Sequence, residues 1–123
     1  DNGRESVRRR IPGVLHTVNP VANDVCPIYK ENTREYSLLK SEHFGTLLMM
    51  EVGALMVGKI ENRPVMSHVR RGQEKGNFAF GGSTIIYMTQ KDKVFPDMDI
   101  LINSADGIET KVQIGSRIGK GKN

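Results

Sequence analysis

Apolar and polar positions alternate in short stretches along this chain, and Gly-, Pro- and Asn-rich breaks separate the stretches. Residues 14–18 form a β-favouring run between Pro12-Gly13 and Asn19-Pro20. Residues 20–33 hold two prolines and polar clusters, so they read as a loop with at most one short strand. Residues 34–40 (REYSLLK), 46–52 (TLLMMEV) and 54–60 read as strands, with Gly53 and Gly58 marking bulges or close backbone approach. Residues 64–70 are expected to pair with neighbours before Arg71-Gly72 turns the chain. Phe78-Ala79-Phe80 ends a strand, Gly81-Gly82 interrupts it, and residues 83–89 (STIIYMT) resume. Residues 100–103 and 110–114 are expected as closing strands on either side of the Asp106-Gly107 turn. Helical periodicity is weak, and a helix over 45–57 would have to absorb Gly45 and Gly53. Roughly seven to nine short strands without a long helix predict an all-β fold, a barrel- or sandwich-like core with Gly-rich turns.

The length of 123 residues suits a single domain, 1–123, with one core. An apolar fraction of 37% with 26% charged residues excludes a disordered tail or a collagen-like repeat. The one cysteine, Cys26, excludes an internal disulfide framework and any zinc site built on Cys pairs, and it reads as buried packing. No stretch reaches the ~18 apolar residues of a membrane span; the longest apolar region, 47–57, is broken by Glu51 and Gly53. The chain opens Asp1-Asn2-Gly3-Arg4, with neither a Met nor an apolar leader, and reads as an internal start.

Net charge is +4, and the excess sits at the ends: Arg4, Arg8, Arg9 and Arg10 at the front, Arg117, Lys120 and Lys122 at the back. Such ends attract phosphate, on nucleic acid or on an anionic membrane; the plainer reading is that they are solvated. His16, His43 and His68 are too scattered for metal spacing. Asp97, Asp99 and Asp106 miss the calcium-loop pattern because Leu101 takes the third ligand position. No metal site is expected.

Gly81-Gly82-Ser83-Thr84 offers distinctive chemistry. Two glycines ahead of a serine let the backbone adopt geometry that other residues resist. The Ser83 hydroxyl can attack the carbonyl of Gly82 and shift the acyl group from nitrogen to oxygen. β-Elimination of that ester cuts the chain and leaves dehydroalanine, which hydrolyses to a pyruvoyl group and ammonia. The ketone so formed is a built-in electron sink for decarboxylation. Alone, the tetrapeptide reads as a plain turn.

Its surroundings change that balance. Leu15-His16-Thr17-Val18-Asn19-Pro20, Glu31-Asn32-Thr33-Arg34-Glu35, the segment from Val52-Gly53-Ala54 to Val57-Gly58-Lys59-Ile60, Arg71-Gly72-Gln73-Glu74-Lys75-Gly76 and Phe80-Gly81-Gly82-Ser83-Thr84 follow in this order. Together they resemble the catalytic domain of the phosphatidylserine decarboxylase family, over residues 11–115. The resemblance implies an all-β catalytic core and pyruvoyl-dependent conversion of phosphatidylserine to phosphatidylethanolamine. It also implies self-cleavage between Gly82 and Ser83, with Ser83 as nucleophile and pyruvoyl precursor. By the same analogy His16, Thr17 and Asn19 line the substrate site. The implied partners are phosphatidylserine in an anionic membrane and the protein's own upstream segment or cleaved β-chain, with a homodimer allowed. Localisation is expected to be intracellular and peripheral to a membrane, and no nucleic acid is expected.

Two elements of the family pattern have no match here: a histidine motif upstream of the Val-Asn-Pro segment and an earlier aspartate, which supply the base for cleavage. His43 and His68 do not fit that motif. The chain is therefore expected to be the C-terminal part of a catalytic domain, truncated at its N-terminus and inactive alone. The alternatives are a non-catalytic all-β carrier and a basic nucleic-acid-binding module. A carrier wants a lysine on an exposed hairpin beside a methionine, and Met49-Met50-Glu51 lacks one. A nucleic-acid barrel wants a stacking platform, which Tyr29, Tyr36, Tyr87 and the four phenylalanines do not form in the sequence. A pyruvoyl enzyme acting on a soluble amino acid would share the same chemistry.

Overall fold

Val7, Leu38, Leu48 and Met88 stand in one lateral row across four antiparallel strands. A computed structural model describes residues 1–14, 27–54, 59–65, 67–79 and 84–122. In chain order its elements are β1 (Gly3–Ile11), α1 (Ile28–Glu31), β2 (Arg34–Ser41), β3 (Gly45–Val52), β4 (Lys59–Asn62), β5 (Gly76–Ala79), β6 (Thr84–Thr89), β7 (Val94–Pro96), α2 (Met98–Ala105) and β8 (Gly119–Gly121). The main sheet runs β1-β2-β3-β6, while β4-β5 and β7-β8 form separate antiparallel pairs. The all-β expectation holds in substance, with two short helices added and no closed barrel among the described residues.

Side chains alternate between the two faces of the main sheet. The row of Val7 and the next row but one share an apolar face on which most side chains are half-buried. The rows Arg8–Ser37–Met49–Tyr87 and Arg10–Glu35–Glu51–Ile85 project to the other face. That second face is overlaid by the β4-β5 pair, whose Asn62 and neighbouring Lys75 reach Glu35 and Glu51. Among the described residues the core comprises Leu39, Val52, Ala54 and Ile60, with Glu5, Asn32, Ser37 and Glu51 as buried polar residues.

The arginine-rich start is a strand in which Arg4, Arg9 and Arg10 remain exposed and Arg8 turns inward. β1 pairs with β2 from Gly3–Ser41 to Ile11–Arg34, with a bulge between Glu5 and Val7. Residues 100–103 belong to helix α2 instead of the expected strand. Pro96 halts β7, Asp97 stands extended at the N-cap, and Asp99 places negative charge against the first turn, where the helix dipole favours it. The expected Asp106-Gly107 turn then closes the helix, with Gly107 at φ 71. Eight residues are too few for a helical period to stand out against the Ile100-Leu101-Ile102 run, which reads as strand. Residues 110–114 form no strand. Within the expected 20–33 loop, residues 28–31 close one helical turn. Of the described residues among 64–70, Val69 alone bridges to another strand, at Gly3. The expected 54–60 strand is described only from Lys59 onward, and of 14–18 only Val14 is described. Cys26 also lies outside the described residues. No helix among the described residues is long and apolar enough to cross a membrane.

Candidate functional site

His16, Thr17, Asn19, Gly82 and Ser83 all lie outside the described residues. What is described is the frame on either side of them. Thr84, which follows Ser83 in the sequence, opens β6 and pairs with Val52, the last residue of β3 and 1% exposed. Val52 also pairs with Arg34 at the start of β2. One residue on, Gly53 donates its amide to the carbonyl of Thr33 at 2.8 Å. Its own carbonyl accepts from the side-chain amide of Asn32 at 2.8 Å.

Asn32 and Thr33 also hold the chain that leads towards residue 16. Val14 forms a parallel bridge with Asn32. The Val14 amide donates to the Glu31 carbonyl at 3.1 Å, and the Thr33 amide donates to the Val14 carbonyl at 3.0 Å. The Thr33 hydroxyl donates to the Gly13 carbonyl at 2.7 Å. Arg34 extends a guanidinium nitrogen to the carbonyls of Lys30 (2.6 Å) and Asn32 (3.1 Å). Val14, Asn32-Thr33, Val52-Gly53 and Thr84 thus form one hydrogen-bonded node. Three of the sequence motifs meet there, and the flank of a fourth enters it.

The remaining motif, Arg71 to Gly76, reaches the same neighbourhood through charge. Lys75 Nζ donates to Glu51 Oε1 at 2.6 Å and lies 3.4 Å from Asn62 Oδ1. Asn62 Nδ2 donates to Glu35 Oε1 at 2.5 Å and to Glu51 Oε2 at 3.3 Å. Arg8 lies 3.8 Å from Glu35 and clasps Glu5 with two nitrogens, while also donating to the Arg63 carbonyl. These side chains are mostly buried: 9% exposed for Glu51, 4% for Glu5 and 12% for Arg8. Carboxylates so far from water need cationic or amide partners, and each has them. Reading the sequence did not single out this network. The signal was present in Glu51, a charge set in the apolar run Thr46–Val52, where a strand tolerates it only with a partner.

The two described histidines sit far from the node. His43 lies in the turn between β2 and β3, its Nδ1 2.9 Å from Asp1 Oδ1. His68 accepts from Arg4 Nε at 3.0 Å, beside the bridge of Val69 to Gly3. Gly3 pairs with Ser41, so both histidines stand at the end of the sheet opposite Val52. Seven residue steps of β3 separate Gly45 from Val52, about 23 Å at strand rise. Asp1, Glu42 and His43 bring metal-ligating atoms within reach of one another. The Asp1 carboxylate is already taken up by the Ser41 hydroxyl and by the His43 amide and ring, which makes it a cap on the turn.

A family model described as "Phosphatidylserine decarboxylase" matches residues 1–120. The chain is 46% identical over 120 residues to phosphatidylserine decarboxylase proenzyme 2 of Clostridium acetobutylicum, covering 98% of this chain and 41% of the relative. It is 48% identical over 122 residues to the phosphatidylserine decarboxylase proenzyme of Clostridium tetani, again covering 98% and 41%. Phosphatidylserine decarboxylase proenzyme 2 of Oryza sativa subsp. japonica is 44% identical over 112 residues, covering 89% of this chain and 18% of the relative. The chain thus spans 41% of the length of the two clostridial proteins. No solved structure matches it.

Proposed function

The chain belongs to the phosphatidylserine decarboxylase family, and from that premise we propose that the protein carrying it is a proenzyme. It cuts itself between Gly82 and Ser83 and converts phosphatidylserine to phosphatidylethanolamine at the surface of an anionic membrane. The observation that carries this reading is the node that ties Val14, Asn32-Thr33, Val52-Gly53 and Thr84 together. It joins the flank of residues 16–19 to the residue that follows Ser83.

In the cut, the Ser83 oxygen attacks the Gly82 carbonyl carbon and the C–N bond between the two residues breaks. An ester results, with a free amine on residue 83. The Ser83 α-proton then leaves with the Gly82 carboxylate, and dehydroalanine remains; water releases ammonia from it and leaves a pyruvoyl ketone at the head of the new chain. The residue chemistry fits such a group, because it is made from the chain itself and needs no ligand set, only an anchored strand behind it. β6, held to β3 from Thr84 onward, supplies that anchor. Once formed, the group supplies an electron sink for the loss of CO₂ from an amine-bearing substrate.

The chain's own residues divide the remaining work. Asn32 and Thr33 hold Gly53, the residue after β3, against the start of β2. His16, Thr17 and Asn19 line the substrate site; the nearest of them is two residues beyond Val14. A serine hydroxyl is a poor nucleophile without a base. His43 and His68, at the far end of the sheet, do not supply one. The base is assigned to the family's histidine motif, which no residue of this chain matches.

Intact mass decides the reading. A polypeptide of the relatives' length carrying this chain is expected to yield two pieces, one ending at Gly82 and one beginning with a blocked position 83. Its Ser83→Ala variant is expected to stay whole and to release no CO₂ from phosphatidylserine vesicles. The 123-residue chain alone is expected to stay whole. A cut after Gly82 in the Ser83→Ala variant, or decarboxylation by the uncut protein, overturns the proposal.

A further inference from the structure

A self-cleaving bond depends on how the chain entering it and the chain leaving it are held, and here both are tied to one carboxylate. Glu51 stands immediately before Val52, the partner of Thr84 on the leaving side. Lys75 stands immediately before β5, the strand that leads to Gly82 on the entering side. Lys75 Nζ donates to Glu51 Oε1 at 2.6 Å, and Asn62 of β4 braces both, with its amide 3.3 Å from Glu51 Oε2 and its oxygen 3.4 Å from Lys75. The side chains are 9% and 26% exposed, so the pair is partly desolvated and less screened than a surface bridge. β4-β5 and the main sheet are separate sheets, so no backbone ladder between them fixes their spacing.

We propose that Glu51 and Lys75 are positioning residues for the Gly82–Ser83 cut, acting as a latch that sets the approach of the two chain segments flanking the bond. The inference rests on the reading of Gly82–Ser83 as the self-cleavage site. Glu51 and Lys75 bond to each other and to Asn62. Their effect is geometric, and displacement of about 1 Å in such an attack costs up to ~100-fold in rate. Latching by charge also explains why a Glu occupies an otherwise apolar strand: Gln would keep hydrogen-bonding capacity and lose the pull on Lys75.

The test follows the appearance of the two pieces with time in a polypeptide of the relatives' length, beside the thermal midpoint of each uncut form in a Ser83→Ala background. Glu51→Gln and Lys75→Met are expected to slow cleavage at least ~10-fold, with no change in the shape of its pH profile, since neither is the base. Lys75→Arg, which keeps the charge, is expected to retain cleavage within about threefold. Leu39→Ala serves as the control: it removes buried core without touching the latch and is expected to lower the midpoint while sparing the rate. Wild-type cleavage rates in Glu51→Gln and Lys75→Met overturn the latch. So does equal slowing by Leu39→Ala at an equal loss of midpoint, because the effect is then one of overall stability. Absence of any cut in the unmodified protein instead removes the reading of the site on which the latch depends.

Discussion

Glu5 and Arg8 lie three residues apart on one strand and still meet on the same face, with Arg8 Nε 2.8 Å from Glu5 Oε1 and a terminal nitrogen 2.9 Å from Oε2. A regular strand sends residues i and i+3 to opposite faces. The bulge between Glu5 and Val7 inserts the extra residue that brings both inward. Glu5→Ala leaves the Arg8 guanidinium largely buried with its main partner gone. The expected loss is about 3 kcal/mol of stability by urea titration. Deleting Ser6 is expected to cost more, because restored alternation separates the pair and displaces either the charges or Val7.

The node around Asn32 predicts its own sensitivity. Asn32 is 0% exposed and its amide is a donor to the Gly53 carbonyl. Asn32→Ala strands that acceptor, at an expected cost of about 1–3 kcal/mol in the same titration. A loss below the range of ordinary surface changes, about 0.5 kcal/mol, would show that the node holds without it.

Much of this architecture was legible in the sequence, and the gaps have physical causes. β2, β3 and β6 are rich in apolar and β-branched residues bounded by turns, so pattern alone finds them. β1 was hidden because four arginines look like a solvated end; Arg4, Arg9 and Arg10 are indeed exposed, and only Arg8 turns inward, to Glu5 and Glu35. α2 contains the strand-like run Ile100-Leu101-Ile102, although Pro96-Asp97 ahead of it is a helix-start signal. The proposed Gly82–Ser83 chemistry rests on a sequence motif. The Glu51–Lys75 pair was not legible, because the two residues are 24 apart and meet only through tertiary packing.

Glycine at position 76 is required by space. A Cβ there would stand 2.5 Å from the Glu61 carbonyl oxygen and 2.5 Å from Asn62 Oδ1. Gly76→Ala therefore pushes β5 away from β4, at an expected cost of about 2 kcal/mol. At Gly72, where φ is +77 and the surroundings are open, alanine meets only backbone strain, about 1 kcal/mol. Thermal midpoints of the two variants check the order.

His43→Ala and His68→Ala are expected to leave the rate of the Gly82–Ser83 cut unchanged, because both histidines lie at the opposite end of the sheet from Thr84. Time courses by intact mass decide this. Loss of the cut in either variant would place a base where the strand geometry does not allow one.

Glu61 gives a small acid-side signature. The hydrogen bond from Lys59, then that from Asn77, then the Lys59 charge hold its carboxyl below the ordinary 4.5. A lowered folded-state value contributes stability above pH 4.5, which is lost as the pH falls through that lowered value. Glu61→Gln is therefore expected to fall slightly below the unmodified protein at pH 7 and to draw level with it in strong acid. Urea midpoints across that range check the sign, and added salt should shrink the difference because the side chains are exposed.

The β3-β6 ladder also governs what becomes of the two pieces after a cut. Six residue pairs, from Leu47–Thr89 to Val52–Thr84, join a strand upstream of position 82 to one downstream. Severing the backbone there leaves this seam intact, so the products stay zipped as one particle. They would migrate together under native conditions and part only in denaturant. The strand behind the newly made chain head, from Thr84 onward, would stay paired with β3. Maturation would then alter the covalent connectivity of the protein while leaving its assembly unchanged.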